Sequence, residues 1–175
     1  MGSVEKKAIF SKKSLLLIAI FFVYFAAGFA FFYFGFKPAV SAADAYAKEA
    51  ESANSRLNIP AINLDIPVTK VNMTDNNLDV PEQIVGSYSV HKNKTLLIGH
   101  STTAFSELKN LKVGAQITYD NHIYTVTDIK QKEKADISMK EILKAEEKDT
   151  LVLMTCAGEQ ITKTDFSHRL IITAS

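Results

Sequence analysis

Gln116-Ile117-Thr118-Tyr119-Asp120-Asn121-His122 opens the stretch on which the fold turns, and Ile123-Tyr124-Thr125-Val126-Thr127-Asp128-Ile129 continues it. β-Branched and aromatic residues fill both arms, as pleated, half-buried backbone favours. Asp120-Asn121 between them are Asx residues, which accept the backbone of a tight turn. The pattern predicts an antiparallel hairpin. Working outward, Leu57-Asn58-Ile59 and Ile62-Asn63-Leu64-Asp65-Ile66 alternate apolar and polar residues, punctuated by Pro60 and Pro67, as a half-buried strand does. Thr95-Leu96-Leu97-Ile98, closed by Gly99, is a short apolar run, as are the stretches at 150–155 and 169–173. Two helices are expected: a short one at 104–108, and one at 139–147 with Ser138 and Glu141 at capping-box spacing. Short strands broken by turns favour a mainly β domain, closed or nearly closed into a barrel.

The chain has 175 residues, about one domain's worth. Its 20 Lys+Arg and 19 Asp+Glu nearly cancel, which argues against a nucleic-acid partner. A single cysteine excludes an internal disulfide and a multi-thiolate zinc site. Eight of the 11 Phe crowd into 21–36. No residue from 14 to 36 is charged, and the 22 residues of 15–36 are apolar or aromatic with Gly. As a helix they span about 33 Å, enough to cross a bilayer. Lys6, Lys7, Lys12 and Lys13 precede the run, which places the N-terminus in the cytoplasm and the rest outside. A cleavable signal peptide is the competing reading, with small residues at Val40-Ser41-Ala42, but the apolar core exceeds the usual length of such signals. The expected organisation is a cytoplasmic N-terminus at 1–13, a transmembrane signal anchor at 14–36, a helical stalk or linker at 37–55, and an extracytoplasmic domain at 56–175.

Cys156 follows the apolar run and precedes Ala157-Gly158. A lone cysteine is ordinarily a small buried hydrophobe. Small and polar neighbours instead suggest a strand mouth, where a nearby base or cation would make the thiol a nucleophile. His100 also ends an apolar strand, just after Gly99, which would let the backbone turn, and imidazole serves as acid and base near neutral pH. His91 lies in a polar loop, His122 at the hairpin turn, and His168 faces away from Arg169 on a strand; each reads as solvated. Arg169, before Leu170-Ile171-Ile172, is either a solvated strand end or a fixed set of donors for an oxyanion. No third, acidic member stands out. Asp136, Glu141, Glu146 and Glu147 could attract calcium, although a solvated helix face is the plainer reading.

Taken in order, these pieces resemble the sortases, membrane-anchored cysteine transpeptidases of bacterial surfaces. Leu97-Ile98-Gly99-His100 resembles the family's strand ending in the catalytic histidine. Phe105-Ser106-Glu107-Leu108 and Leu111-Lys112-Val113-Gly114 resemble the segment after it. Leu153-Met154-Thr155-Cys156 resembles the Thr-Leu-x-Thr-Cys signature, with Val152 where its first threonine usually stands, and Arg169 falls 13 residues beyond the cysteine. Ile59-Pro60-Ala61-Ile62 and Ile66-Pro67-Val68 look like the opening strands. The resemblance covers 57–173. No long aromatic-tipped lid precedes the barrel and no Trp is present, so the likeness is to the family and not to one subclass.

The resemblance implies an eight-stranded sortase-type barrel and a reaction. Cys156 would cleave a Leu-Pro-x-Thr-Gly-like sorting signal between Thr and Gly through a thioacyl enzyme. His100 would serve as acid and base, and Arg169 would hold the peptide and the oxyanion. Thr155 and Ser101 would line the cleft. The acceptor would be an amine from a peptidoglycan precursor or a pilin lysine. No metal or other cofactor is implied. Two alternatives stand beside this reading: a non-catalytic, membrane-tethered β-domain that binds a surface partner, and a peptidase that releases the same acyl-enzyme to water.

Overall fold

A computed structural model describes residues 25, 41–74, 77–162 and 165–175. The chain divides into two units, 1–40 and 41–175. Apart from Phe25, the expected anchor at 14–36 lies outside the described residues. Among the described residues no helix is long and apolar enough to cross a membrane.

Within the second unit, helix α1 (Ala42–Glu51) leads into β1 (Ser55–Ile59) and β2 (Leu64–Lys70). Then come the two-residue strands β3 (Met73–Thr74) and β4 (Asn77–Leu78), followed by β5 (Val85–His91) and β6 (Lys94–Ile98). The chain finishes with β7 (Gln116–Tyr119), β8 (His122–Glu133), the one-turn helix α2 (Met139–Ile142), β9 (Thr150–Gln160) and β10 (Phe166–Ala174). Eight of these strands close a barrel in the order β1-β2-β5-β6-β9-β10-β8-β7. Closure comes from β1 against β7, with Leu57 opposite Tyr119 and Asn58 opposite Thr118. Six of the eight contacts are antiparallel; β2–β5 and β6–β9 are parallel.

The turns follow from local chemistry. Asp120 (φ 50°) and Asn121 (φ 64°) both take left-handed backbone, as a two-residue hairpin loop requires and as Asx residues tolerate. Asn63, at φ 51°, does the same after the 3-10 turn Pro60–Ile62 and reverses β1 into β2. The core fills the barrel with Leu57, Ile59, Val68, Leu97, Ile117, Leu151, Leu153 and Ile172, and with Phe105 and Leu108 from the connection after β6.

A second cluster explains why β6 and β9 read as unbroken apolar runs. Leu96, Ile98 and Val152 point out of the barrel, where Leu78, Val80, Met139, Ile142 and Met154 pack over them. The parallel pair is therefore buried on both faces, and the alternation that marks a half-buried strand is lost.

Three expectations change in detail. The helix of 139–147 stops at Ile142, although Ser138 caps it by accepting from the Glu141 amide. Beyond it, Glu146 is drawn to Lys94 Nζ at 3.0 Å. Lys94 is a buried amine, and the need to pair its charge overrides the helical preference of Lys144 to Glu147. The stretch at 104–108 is a series of turns ending in the 3-10 helix Leu108–Asn110. His91 closes β5, opposite Lys94, and is not in a loop, though its side chain is exposed.

Leu57 is fully buried at the β1–β7 seam. Leu57→Ala should cost about 2–5 kcal/mol of stability, seen as a lower denaturation midpoint with the far-ultraviolet circular dichroism of the native state unchanged.

Candidate active site

The site is built on three neighbouring strands, with β9 between β6 and β10. Cys156 lies inside β9, which runs on to Gln160, and not at a strand mouth. Arg169, the fourth residue of β10, stands directly opposite Cys156 in the antiparallel register. Directly opposed residues hold their Cβ atoms about 4.5–5.5 Å apart. On the other side the parallel register runs from Lys94 beside Thr150 to Ile98 beside Met154. His100, just past the end of β6, and Cys156 in β9 each follow that last pair by two residues.

Strand parity gives the three side chains one face. Val152 and Met154 point outward, so Cys156 does too; Leu96 and Ile98 set the same parity toward His100, and Ile171 sets it for Arg169. The result is one open groove of about 310 Å3 that His100, Cys156 and Arg169 line together with Thr155 and Gly99. Its apolar wall comes from Met73, Leu78, Val80, Ile98, Met139 and Met154. The thiol is free and half-buried.

Thr155 holds the site in register. It is only 5% exposed, and its hydroxyl donates to the Gly99 carbonyl at 2.7 Å. That bond crosses from β9 to the end of β6 one residue before both His100 and Cys156. Gly99 is needed for clearance: a Cβ there would meet Phe105 Cδ2 at 3.0 Å and the Ala104 Cβ at 3.1 Å. Phe105 can approach because the His100 carbonyl accepts from the Phe105 amide (2.9 Å) and from the Thr103 amide (3.3 Å). Those bonds fold the chain back under the histidine. Ser101 sits half-buried in the same turn, and the groove lining does not include it.

The Arg169 side chain is 18% exposed. Its Nη1 donates to the carbonyls of Phe166 (3.0 Å) and His168 (2.9 Å), and Nη2 lies 3.5 Å from an Asp165 oxygen. Of its five donor hydrogens, two remain without a partner among the described residues. Asp165 is the acidic neighbour that sequence reading missed. It precedes β10 in what reads as a polar loop, and its spacing of four from Arg169 carries no signal until the strand is placed. Both Asp165 oxygens also accept from Lys134 Nζ at 2.8 Å. That bond, with the Lys134 charge and the Phe166 amide, holds the carboxyl below the usual carboxylate range. The outer wall residues Met73, Leu78, Val80 and Met139 were likewise invisible, because they come from short segments with no period.

His91 and His122 are exposed. His168 turns to Ser167 Oγ at 2.7 Å, and none of the three lines the groove. Among the described residues, no three His, Cys, Asp or Glu side chains converge to hold a metal ion.

The family model for sortase domains matches residues 57–175. The chain belongs to the sortase family. Sortases are cysteine transpeptidases of the cell surface, so this one is a transpeptidase in that general sense. Solved sortases share its fold. A sortase C2 of pilus island 1 from group B Streptococcus is 22% identical, with 70% of this chain and 73% of that one covered and a TM-score of 0.54. Sortase A of Listeria monocytogenes is 17% identical over 71% and 86% of the two chains, with a TM-score of 0.54. Sortase C1 of Streptococcus agalactiae is 22% identical over 79% and 76%, with a TM-score of 0.55. At these identities the likeness is one of fold. A search of curated protein sequences finds no match.

Two outcomes test the geometry of this sortase. Thr155→Val strips the Gly99 carbonyl of its donor, at a cost of about 1–3 kcal/mol, and should slow alkylation of Cys156 relative to the change in stability. Lys134→Gln should raise the midpoint at which Asp165 titrates, followed by carboxyl-carbon NMR. Because the native carboxyl is depressed, the Lys134–Asp165 link is present at neutral pH and is lost only as pH falls through that low value; across about pH 5–8 it does not titrate.

Proposed function

We propose that this sortase cleaves a Leu-Pro-x-Thr-Gly-like sorting signal between Thr and Gly and transfers the exported protein to an amine. The observation that carries the reading is the register that sets Cys156 between His100 and Arg169. Cys156 passes its thiol proton to His100 as Sγ attacks the Thr carbonyl carbon, and the carbonyl oxygen takes the negative charge within reach of the two unpaired Arg169 donors. The C–N bond then breaks, His100 protonates the departing Gly amine, and a thioester remains on Cys156. An incoming amine attacks that thioester, His100 takes its proton, and the thiolate leaves with a new amide formed. A thioester retains much of the acyl energy of the peptide bond, so transfer to an amine proceeds without ATP.

The acceptor in this reading is a peptidoglycan precursor or a pilin lysine. The apolar wall of Leu78, Val80, Met139 and Met154 suits the Leu-Pro portion of the peptide. Residues 14–36 are the membrane anchor, with 1–13 cytoplasmic and 37–55 linking to the extracytoplasmic catalytic domain. Tethering enzyme, substrate and acceptor to one membrane plane raises their effective concentration.

The test is ligation of a sorting-signal peptide to candidate amines by the full chain in detergent micelles, read by mass spectrometry. Cys156→Ala and His100→Ala should each lower the rate by about a thousandfold or more, since the two act as a unit. Arg169→Lys, which keeps charge but loses the planar fork, should cost about a hundredfold. A Cys156→Ala protein that still joins peptide to amine overturns the assignment, and hydrolysis alone in the presence of every amine makes the enzyme a peptidase.

A further inference from the structure

We propose that Glu49, on the helix preceding the barrel, is a positioning residue that clamps one wall of the catalytic groove. The proposal rests on the transpeptidase reading of that groove. The Glu49 carboxylate accepts from three successive backbone amides: Oε1 from Glu82 at 3.0 Å, and Oε2 from Gln83 at 2.8 Å and Ile84 at 3.2 Å. Three adjacent N–H groups turned to one point form a small anion receptor. Charge-assisted bonds of this kind are roughly twice as strong as neutral ones.

What the clamp holds matters more than its strength. Val80, two residues before Glu82, lines the groove, as does Leu78. Ile84, immediately before β5, is fully buried. On the opposite side, the Glu82 carbonyl accepts from Thr103 Oγ1, and the Thr103 amide donates to the His100 carbonyl. Segment 79–84 is thus held by its N–H groups from the helix and by a carbonyl from the turn under the histidine. The helix is itself fastened to β2. Thr69 Oγ1 donates to the Ser52 carbonyl at 3.2 Å, and the Asn54 amide donates to the Val68 carbonyl at 3.1 Å. Glu49 therefore joins α1 and, through it, β2 to the wall that faces the peptide.

The experiment uses the full chain in detergent micelles, with Glu49→Ala and Glu49→Gln, and Thr103→Val to cut the other side of the segment. Hydrogen exchange is read at the amides of 82–84 and in β9. Cys156 is titrated with a small methanethiosulfonate and with a Leu-Pro-x-Thr peptide bearing a chloromethyl ketone. In Glu49→Ala the amides of 82–84 should exchange about tenfold faster or more, with β9 unchanged. The peptide probe should slow by about fivefold or more while the small reagent keeps its rate. Glu49→Gln should fall between, and Thr103→Val should weaken the peptide reaction by itself and add less to Glu49→Ala. Unchanged exchange at 82–84 removes the clamp. Faster exchange with an unchanged ratio of the two reagents removes its positioning role. Equal losses with both reagents, together with faster exchange in β9, reduce Glu49 to general stability. If the wild-type chain does not prefer the peptide probe to a scrambled one, the substrate reading fails, and exchange at 82–84 still decides the clamp.

Discussion

A parallel ladder between residues 94–98 and 150–154 determines how far along their strands the histidine and the cysteine lie. A slip of one residue would turn Cys156 into the barrel and bring Thr155 out, because side chains alternate faces. The ladder resists that slip in two ways. Leu97, Leu151 and Leu153 belong inside, while Leu96, Ile98 and Val152 are covered outside, so both faces penalise a change of register. The Thr155–Gly99 bond then pins the end where the ladder stops. Arg169 depends on the same strand from its other side, through the antiparallel register of β10.

This constraint explains what could be read without coordinates. The hairpin at 116–129 was legible because its Asx turn and half-buried arms are local signals. Cys156, His100 and Arg169 were legible as an ordered set: each stands beside an apolar run, and the family resemblance supplied their association. Their shared face also follows from counting, since Met154, Ile98 and Ile171 are each two residues away on the same side. The sequence misled where tertiary forces win. The residues at 144–147 favour helix, yet the buried ammonium of Lys94 claims Glu146. Gly99 suggests a hinge, yet the aromatic ring of Phe105 is what excludes a side chain there. Val85–His91 escaped notice because Gly86, two serines and a polar end obscure its alternation. Asp165 and Glu49 were unreadable because their partners lie on other elements.

The electrostatics of the groove are asymmetric. The guanidinium of Arg169 is fastened at one end to its own strand and to Asp165. A side chain with many rotamers loses little further entropy when a substrate arrives if most of it is already held. Asp165 is kept from drawing in the whole cation because Lys134 takes both of its oxygens. The arginine is therefore held and still keeps two donors without a partner among the described residues.

The topology carries a consequence for the order of manufacture. Histidine and cysteine are brought side by side only after the β7–β8 hairpin and α2 have been laid between them, and the arginine belongs to the final barrel strand. Pairings so distant along the chain are slow to form. The ribosome delivers β6 first and β10 last, so the three side chains can share one groove only when the final strand docks. Until then the groove is incomplete, however much of the barrel has already been made.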